Sequence, residues 1–124
     1  MNTRAKGIEG ETLVCEYLEK QGFEIVERNY KEKCGEIDVI AKKAGSWVFV
    51  EVKARNGSRF GDALESVTPA KIAKIIKTAE LFLLRKRAYS SDCRFDIAVV
   101  KNGAVEEYIP NAFTKADAGK APRW

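Results

Sequence analysis

The segment WVFVEVKA, residues 47–54, limits the possible folds more than any other stretch of the chain. Successive side chains of a strand alternate faces, so Trp47, Phe49, Glu51 and Lys53 share one face while Val48, Val50, Val52 and Ala54 share the other. One face is wholly apolar and the other opens with two aromatics, which places this strand centrally in a sheet covered on both sides. Yet Glu51 and Lys53 close it on a single side. Charged groups are rarely buried unless they are paired or bind metal. An ion pair at a fraying strand end and a chemical site at the end of a central strand both fit that pattern.

The remaining elements follow from periodicity and punctuation. Residues 5–21 read as a helix, with Ile8, Val14, Cys15 and Leu18 at intervals of three and four and Gly22 as its stop. Residues 23–28 read as a short strand, residues 29–35 as a polar turn, and residues 36–42 as a strand joined to 47–54 across Ala44-Gly45-Ser46. Residues 56–67 lack periodicity and read as a loop. Thr68-Pro69 supplies a hydroxyl N-cap and a first-turn proline for a helix reaching about Arg87, with Ile72, Ile75, Ile76, Ala79 and Leu83 on its inner face. Residues 94–101 and 104–109 form a hairpin across Asn102-Gly103. The order αβββαββ predicts a mixed central sheet flanked by helices, an α/β fold bordering on α+β. Residues 1–113 are expected to form one domain and residues 114–124 a flexible tail.

Two further acids bear on the site. Asp38, in GEIDVIA, lies near Glu51 if the strands on either side of Ala44-Gly45 pair as a hairpin. Two carboxylates brought together raise each other's pKa unless a cation sits between them, and hard oxygen ligands select magnesium or manganese. Glu11 falls near the centre of the apolar stripe of Ile8, Val14, Cys15 and Leu18, a costly place for a charge without a partner inside. Together Glu11, Asp38, Glu51 and Lys53 suit metal-assisted phosphodiester hydrolysis. Asp38 and Glu51 are the expected metal ligands, Glu11 completes the shell, binds a second ion or orders a ligand water, and Lys53 orients the attacking water or stabilises the transition state.

Composition removes rival chemistries. The chain of 124 residues has no histidine, which excludes Ser-His-Asp triads and the common zinc sites. Its three cysteines, Cys15, Cys34 and Cys93, form no CxxC pair and no even disulfide set. No apolar run approaches the roughly 20 residues of a membrane span. The opening MNTRAKGIEGE has no apolar stretch of a secretory signal, so a cytoplasmic protein without membrane association is expected. The net charge of +4 is compatible with a polyanionic partner.

An acid, then Asp38, then Glu51-Val52-Lys53 resembles the restriction-endonuclease-like superfamily of PD-(D/E)xK nucleases, although no proline precedes Asp38. More narrowly, the chain is similar to the YraN-like family of small bacterial proteins, predicted to be nucleases. The resemblance rests on GETLVCEYLEKQGF, ERNY, GEIDVIA, VFVEVKAR, the Phe60-Gly61 pair, Lys71, RFDIAVV and NAF, and spans residues 6–113. The spacing from Glu11 to Gly22-Phe23 also resembles archaeal Holliday junction resolvases. This implies a restriction-endonuclease-like core, Glu11, Asp38, Glu51 and Lys53 as catalytic residues, Mg2+ with Mn2+ as substitute, and DNA as partner. Action on branched or processed DNA and a homodimer are compatible with it, since junction-cleaving relatives work in pairs.

Arg55, Arg59, Lys71 and Lys74 are the expected phosphate contacts, the lysines by their place early in the second helix. Lys74 and Lys77 equally suit a solvated outer face. A non-catalytic nucleic-acid-binding module that keeps the fold is the alternative reading, supported by the basic balance and opposed by the complete set of three acids and a lysine.

Overall fold

A computed structural model describes residues 3–55 and 64–118. Helix α1 spans Thr3–Lys20, followed by β1 Glu24–Glu32, β2 Gly35–Lys43, β3 Ser46–Ala54, α2 Pro69–Arg85, β4 Cys93–Lys101, β5 Ala104–Phe113 and a 3-10 turn at Lys115–Asp117. Among the described residues the strands form one sheet in sequence order, β1-β2-β3-β4-β5. Neighbours are antiparallel except β3 and β4, which run parallel. A parallel pair needs a crossover, and α2 supplies it. The result is the αβββαββ, restriction-endonuclease-like arrangement with β3 at the centre.

Alternation along β3 distributes the core as its sequence predicts. Trp47 and Phe49 face α2, packing with Ile72, Ile75, Ile76, Ala79, Phe82 and Leu83. Val48 and Val50 face α1, packing with Val14, Cys15 and Leu18. Burial on both faces leaves Phe49 and Val50 each 0% exposed. At roughly 25 cal/mol per Å2 of apolar area, each such side chain contributes about 2 kcal/mol before entropy is counted.

Local chemistry sets the helix ends. The Thr68 hydroxyl accepts from the Lys71 amide at 3.2 Å, and Pro69 opens α2. The helix stops at Arg85, two residues before the expected Arg87. Arg87 takes a left-handed φ of 56°, its amide reaches the Leu84 carbonyl, and the Ala88 amide reaches that of Leu83. That double bond pattern is a Schellman stop, made here without glycine. Gly22 (φ 89°) ends α1 the same way, with Phe23 N–H on the Leu18 carbonyl.

β1 corrects the sequence reading. It does not turn at residue 29 but runs on to Glu32, leaving Lys33-Cys34 as the turn. Asn29 is absorbed within the strand in a left-handed conformation, φ 53°. Its effect reaches both strands. Arg28 pairs with Val39, and Tyr30 pairs with Ile37. Residues two apart should face alike, yet Val39 packs toward α1 and Ile37 toward α2. The strands therefore turn over at Asn29 and Asp38, which lie between those pairs.

Of the loop expected over residues 56–67, residues 56–63, Arg59 included, lie outside the described residues. Leu64 and Val67 are buried in the α2-side core. Thr114 and Asp117 cap the 3-10 turn at the head of the segment expected as a tail, and residues 119–124 lie outside the described residues.

Candidate active site

Pairing between β2 and β3 runs from Lys43–Ser46 to Val39–Val50 and ends there. The next position of β2 is Asp38, whose carboxylate Oδ2 accepts from the Val52 amide at 2.8 Å. A side chain has replaced a backbone carbonyl in the ladder, so the strands part around a carboxylate. This parting and the turnover at Asn29 occur at the same place in β2. They set Asp38 close enough to Glu51 for each charge to act on the other.

The electrostatics follow from that crowding. Burial, then the Glu51 charge, push the Asp38 carboxyl up to about 7, against the pull of the Val52 amide; Glu11 and Glu36 add to the rise. Glu51 is 7% exposed, and its Oε1 lies 3.5 Å from Lys53 Nζ and 3.3 Å from Lys71 Nζ. Lys53 is pulled below the usual lysine range, first by burial and then by its hydrogen bond with Lys71. Burial also acts to lower Lys71, but its contacts with Lys53 and Glu51 outweigh this and raise it. The lysine with the lowered pKa is the one on the strand. The one with the raised pKa comes from α2.

Glu11 is buried in the α1 stripe as its position predicts, 8% exposed. Its Oε1 accepts from Asn29 Nδ2 at 2.8 Å and lies 3.8 Å from Arg28 Nη2, whose guanidinium also donates to the Thr12 hydroxyl. The left-handed turn in β1 thus supplies the partner that a mid-stripe glutamate needs. Gly10, one residue earlier, lets α1 approach the sheet, since a Cβ there would stand 3.1 Å from Val100 Cγ2 and 3.5 Å from Val52 Cγ1. The Glu11 charge acts on Asp38, but its hydrogen bond goes to Asn29. Among the described residues no three of His, Cys, Asp and Glu stand together as a metal-ligating group. Asp38 and Glu51 are the pair brought together, while Glu11 is held by Asn29 and Arg28 and reaches Asp38 only through its charge.

The remaining expected contacts divide. Lys71 stands inside the site, against Glu51. Lys74 is exposed on α2, its stem against Gly35 at the start of β2. Arg55 is drawn in at the end of β3, pairing through Nη1 with Glu106 of β5 at 2.6 Å, so it braces the sheet edge. Arg28 and Asn29 are the residues that sequence reasoning missed. Both stand in ERNY, and the only signal was an asparagine interrupting a strand-like run. A further buried acid, Asp96, belongs elsewhere. It accepts from Arg94 Nε, the Tyr108 hydroxyl and the Asn111 amide, and so fixes the shift in register between β4 and β5.

Residues 10–100 match the model of the uncharacterised protein family UPF0102. The chain belongs to that family. A UPF0102 protein of Vibrio vulnificus (strain YJ016) is 47% identical over 115 residues, covering 90% of this chain and 94% of the relative. One from Persephonella marina is 42% identical over 108 residues, covering 87% and 92%. One from Helicobacter pylori (strain HPAG1) is 47% identical over 103 residues, covering 83% and 87%. The UPF0102 match opens at Gly10, one residue before Glu11, and closes at Val100, so it contains the whole candidate site. Among the described residues no helix is long and apolar enough to cross a membrane.

Proposed function

We propose that this UPF0102 chain is a metal-dependent nuclease that hydrolyses DNA phosphodiester bonds, with Asp38, Glu51 and Lys53 as its catalytic core. The observation that carries the reading is the insertion of Asp38 between β2 and β3 beside Glu51. Burial and that neighbour push its carboxyl up to about 7. Beyond the Val52 amide bond a structural carboxylate gains nothing from such a place, whereas a cation ligand would. The donor set fits magnesium or manganese: hard oxygens of Asp38 and Glu51, with Glu11 within electrostatic reach and no soft ligand required.

Asp38 and Glu51 would hold such an ion, which would supply Lewis acidity, lowering the pKa of water and offsetting phosphate charge. The chain's own residues do the rest. Lys53 sits beside Glu51, and burial, with Lys71 next to it, lowers its pKa below the usual lysine range. As an ammonium it stabilises negative charge on the phosphorane as a point charge. Asn29 holds Glu11, fixing the direction of the third acid.

One observation favours a second reading. Glu51 has two lysine partners, as suits a non-catalytic nucleic-acid-binding module. Titration of Mg2+ and then Mn2+ into wild type, Asp38→Ala, Glu51→Ala and Lys53→Ala, with cleavage of linear, nicked, flapped and four-way DNA, separates the two. The nuclease reading expects metal uptake lost in the acid variants and cleavage lost in all three. Wild-type protein that binds DNA, takes up no metal and cuts nothing leaves the binding module as the function. The homodimer belongs to the same proposal, and light scattering with and without a four-way junction tests it.

A further inference from the structure

The half-buried lysine of α2 has a role that the acids alone do not explain. Lys71 begins well anchored, its amide bound to the Thr68 hydroxyl, and its side chain then runs inward to Glu51. A cation in the first turn of a helix opposes the helix dipole, so the pull of Glu51 is what holds the ammonium there. Lys53 and Lys71 share a single carboxylate oxygen, Glu51 Oε1. Their side chains differ in access: Lys53 is 15% exposed and Lys71 is 41% exposed.

Charge balance gives the consequence. With both carboxylates ionised, Asp38 and Glu51 carry two negative charges and the two lysines carry two positive ones. A divalent cation entering between the acids adds two positive charges to a partly buried site. The positive charge there falls if one lysine withdraws. Lys53 lies on the central strand and is more deeply enclosed. Lys71 reaches in from the solvent side on a flexible stem, so it is the lysine free to leave.

We propose that Lys71 is a displaceable counter-ion, holding Glu51 in the metal-free protein and swinging outward on metal binding to meet a phosphate of the nucleic-acid strand. This rests on the metal-dependent reading above and adds to it a coupling between metal and strand. Without metal Lys71 holds Glu51 in place, and the ammonium released by the metal becomes a phosphate contact. Metal and nucleic acid then reinforce each other's binding, as linkage requires.

Lys71→Met keeps the stem and removes the charge. Calorimetric titration of Mn2+ into wild type and Lys71→Met without DNA is expected to show tighter binding by the variant, by roughly two- to fivefold, the worth of a half-exposed ion pair. In a parallel measurement with Ca2+ present, to hold off cleavage, the salt slope of duplex binding is expected to fall by about 0.9, the loss of one phosphate contact. Mn2+ uptake by wild type with no gain in Lys71→Met overturns the displacement while leaving the metal site standing. An unchanged salt slope overturns the phosphate contact. Mn2+ uptake by neither protein overturns the metal reading and this proposal together. Thermal melts of the variant confirm that it is folded in each comparison.

Discussion

Replacing Asp38 by asparagine separates the charge of that side chain from its hydrogen bond. The amide oxygen still accepts from Val52 N–H, the contact now made by Oδ2 at 2.8 Å. What disappears is a carboxylate that burial and Glu51 push from 3.8 up to about 7. The sign follows from proton binding. Between roughly pH 4 and pH 7 the folded protein holds a proton that the unfolded chain has released, so stability falls as pH rises through that window. Above it the whole penalty is present, each tenfold change in proton affinity being worth about 1.4 kcal/mol. The upper bound is therefore about 4 kcal/mol, and sharing of the effect with Glu51 lowers the expectation to about 2–4 kcal/mol. For a domain of this size about 3 kcal/mol corresponds to a rise of about 10 °C in Tm. Thermal melts in EDTA at pH 5 and pH 8 make the comparison. Asp38→Asn is expected to exceed wild type at pH 8 and to lose most of the advantage at pH 5. Adding Mg2+ at pH 8 is expected to stabilise wild type and leave the variant unmoved. A variant no more stable than wild type at pH 8, or a gap that does not shrink in acid, would falsify the claim that Asp38 is held at a site built against its own charge.

The turnover in β1 and the approach of α1 yield two further expectations. Asn29→Ala places a Cβ residue at φ 53° and removes the partner of Glu11, and is expected to destabilise by about 2–3 kcal/mol in urea melts. Asn29→Gly accepts the backbone geometry, so it should recover part of that loss; equal losses would show that the left-handed turn is not the strained element. Gly10→Val meets Val100 and Val52 and is expected to cost about 1–3 kcal/mol by lifting α1 from the sheet, read as a lower urea midpoint. An unchanged midpoint would mean that the helix rides higher than its contacts imply.

Much of the architecture was legible because its signals are local. The two faces of β3, the Thr68-Pro69 start of α2, the Gly22 stop and the left-handed Asn102-Gly103 turn each follow from a few adjacent residues. The burial of Glu11 was legible too, since an acid in mid-stripe on a helix has few other places to go. Long-range partners were not. Arg55 read as a phosphate contact beside the active strand, yet Glu106 engages it from 51 residues away. Lys71 read as a phosphate contact at a helix start, and its contact with Glu51 depends on how α2 crosses from β3 to β4.

The least legible feature is the one on which the site depends. An asparagine in an otherwise strand-like run predicts a turn, because asparagine accepts left-handed geometry and commonly ends strands. Here the same preference is used inside β1, where it turns the strand over without ending it. Across the ladder β2 turns over as well, and Asp38 lies at that point. Its carboxylate can then reach the Val52 amide, where strict alternation would leave it on a continuous face with Glu36 and Ile40. On the other side Asn29 itself turns toward Glu11. A single positive φ thus accounts for the parted strands, the placement of Asp38 and the partner of Glu11. In this chain the residue that shapes the site carries no charge and takes no part in the chemistry proposed for it.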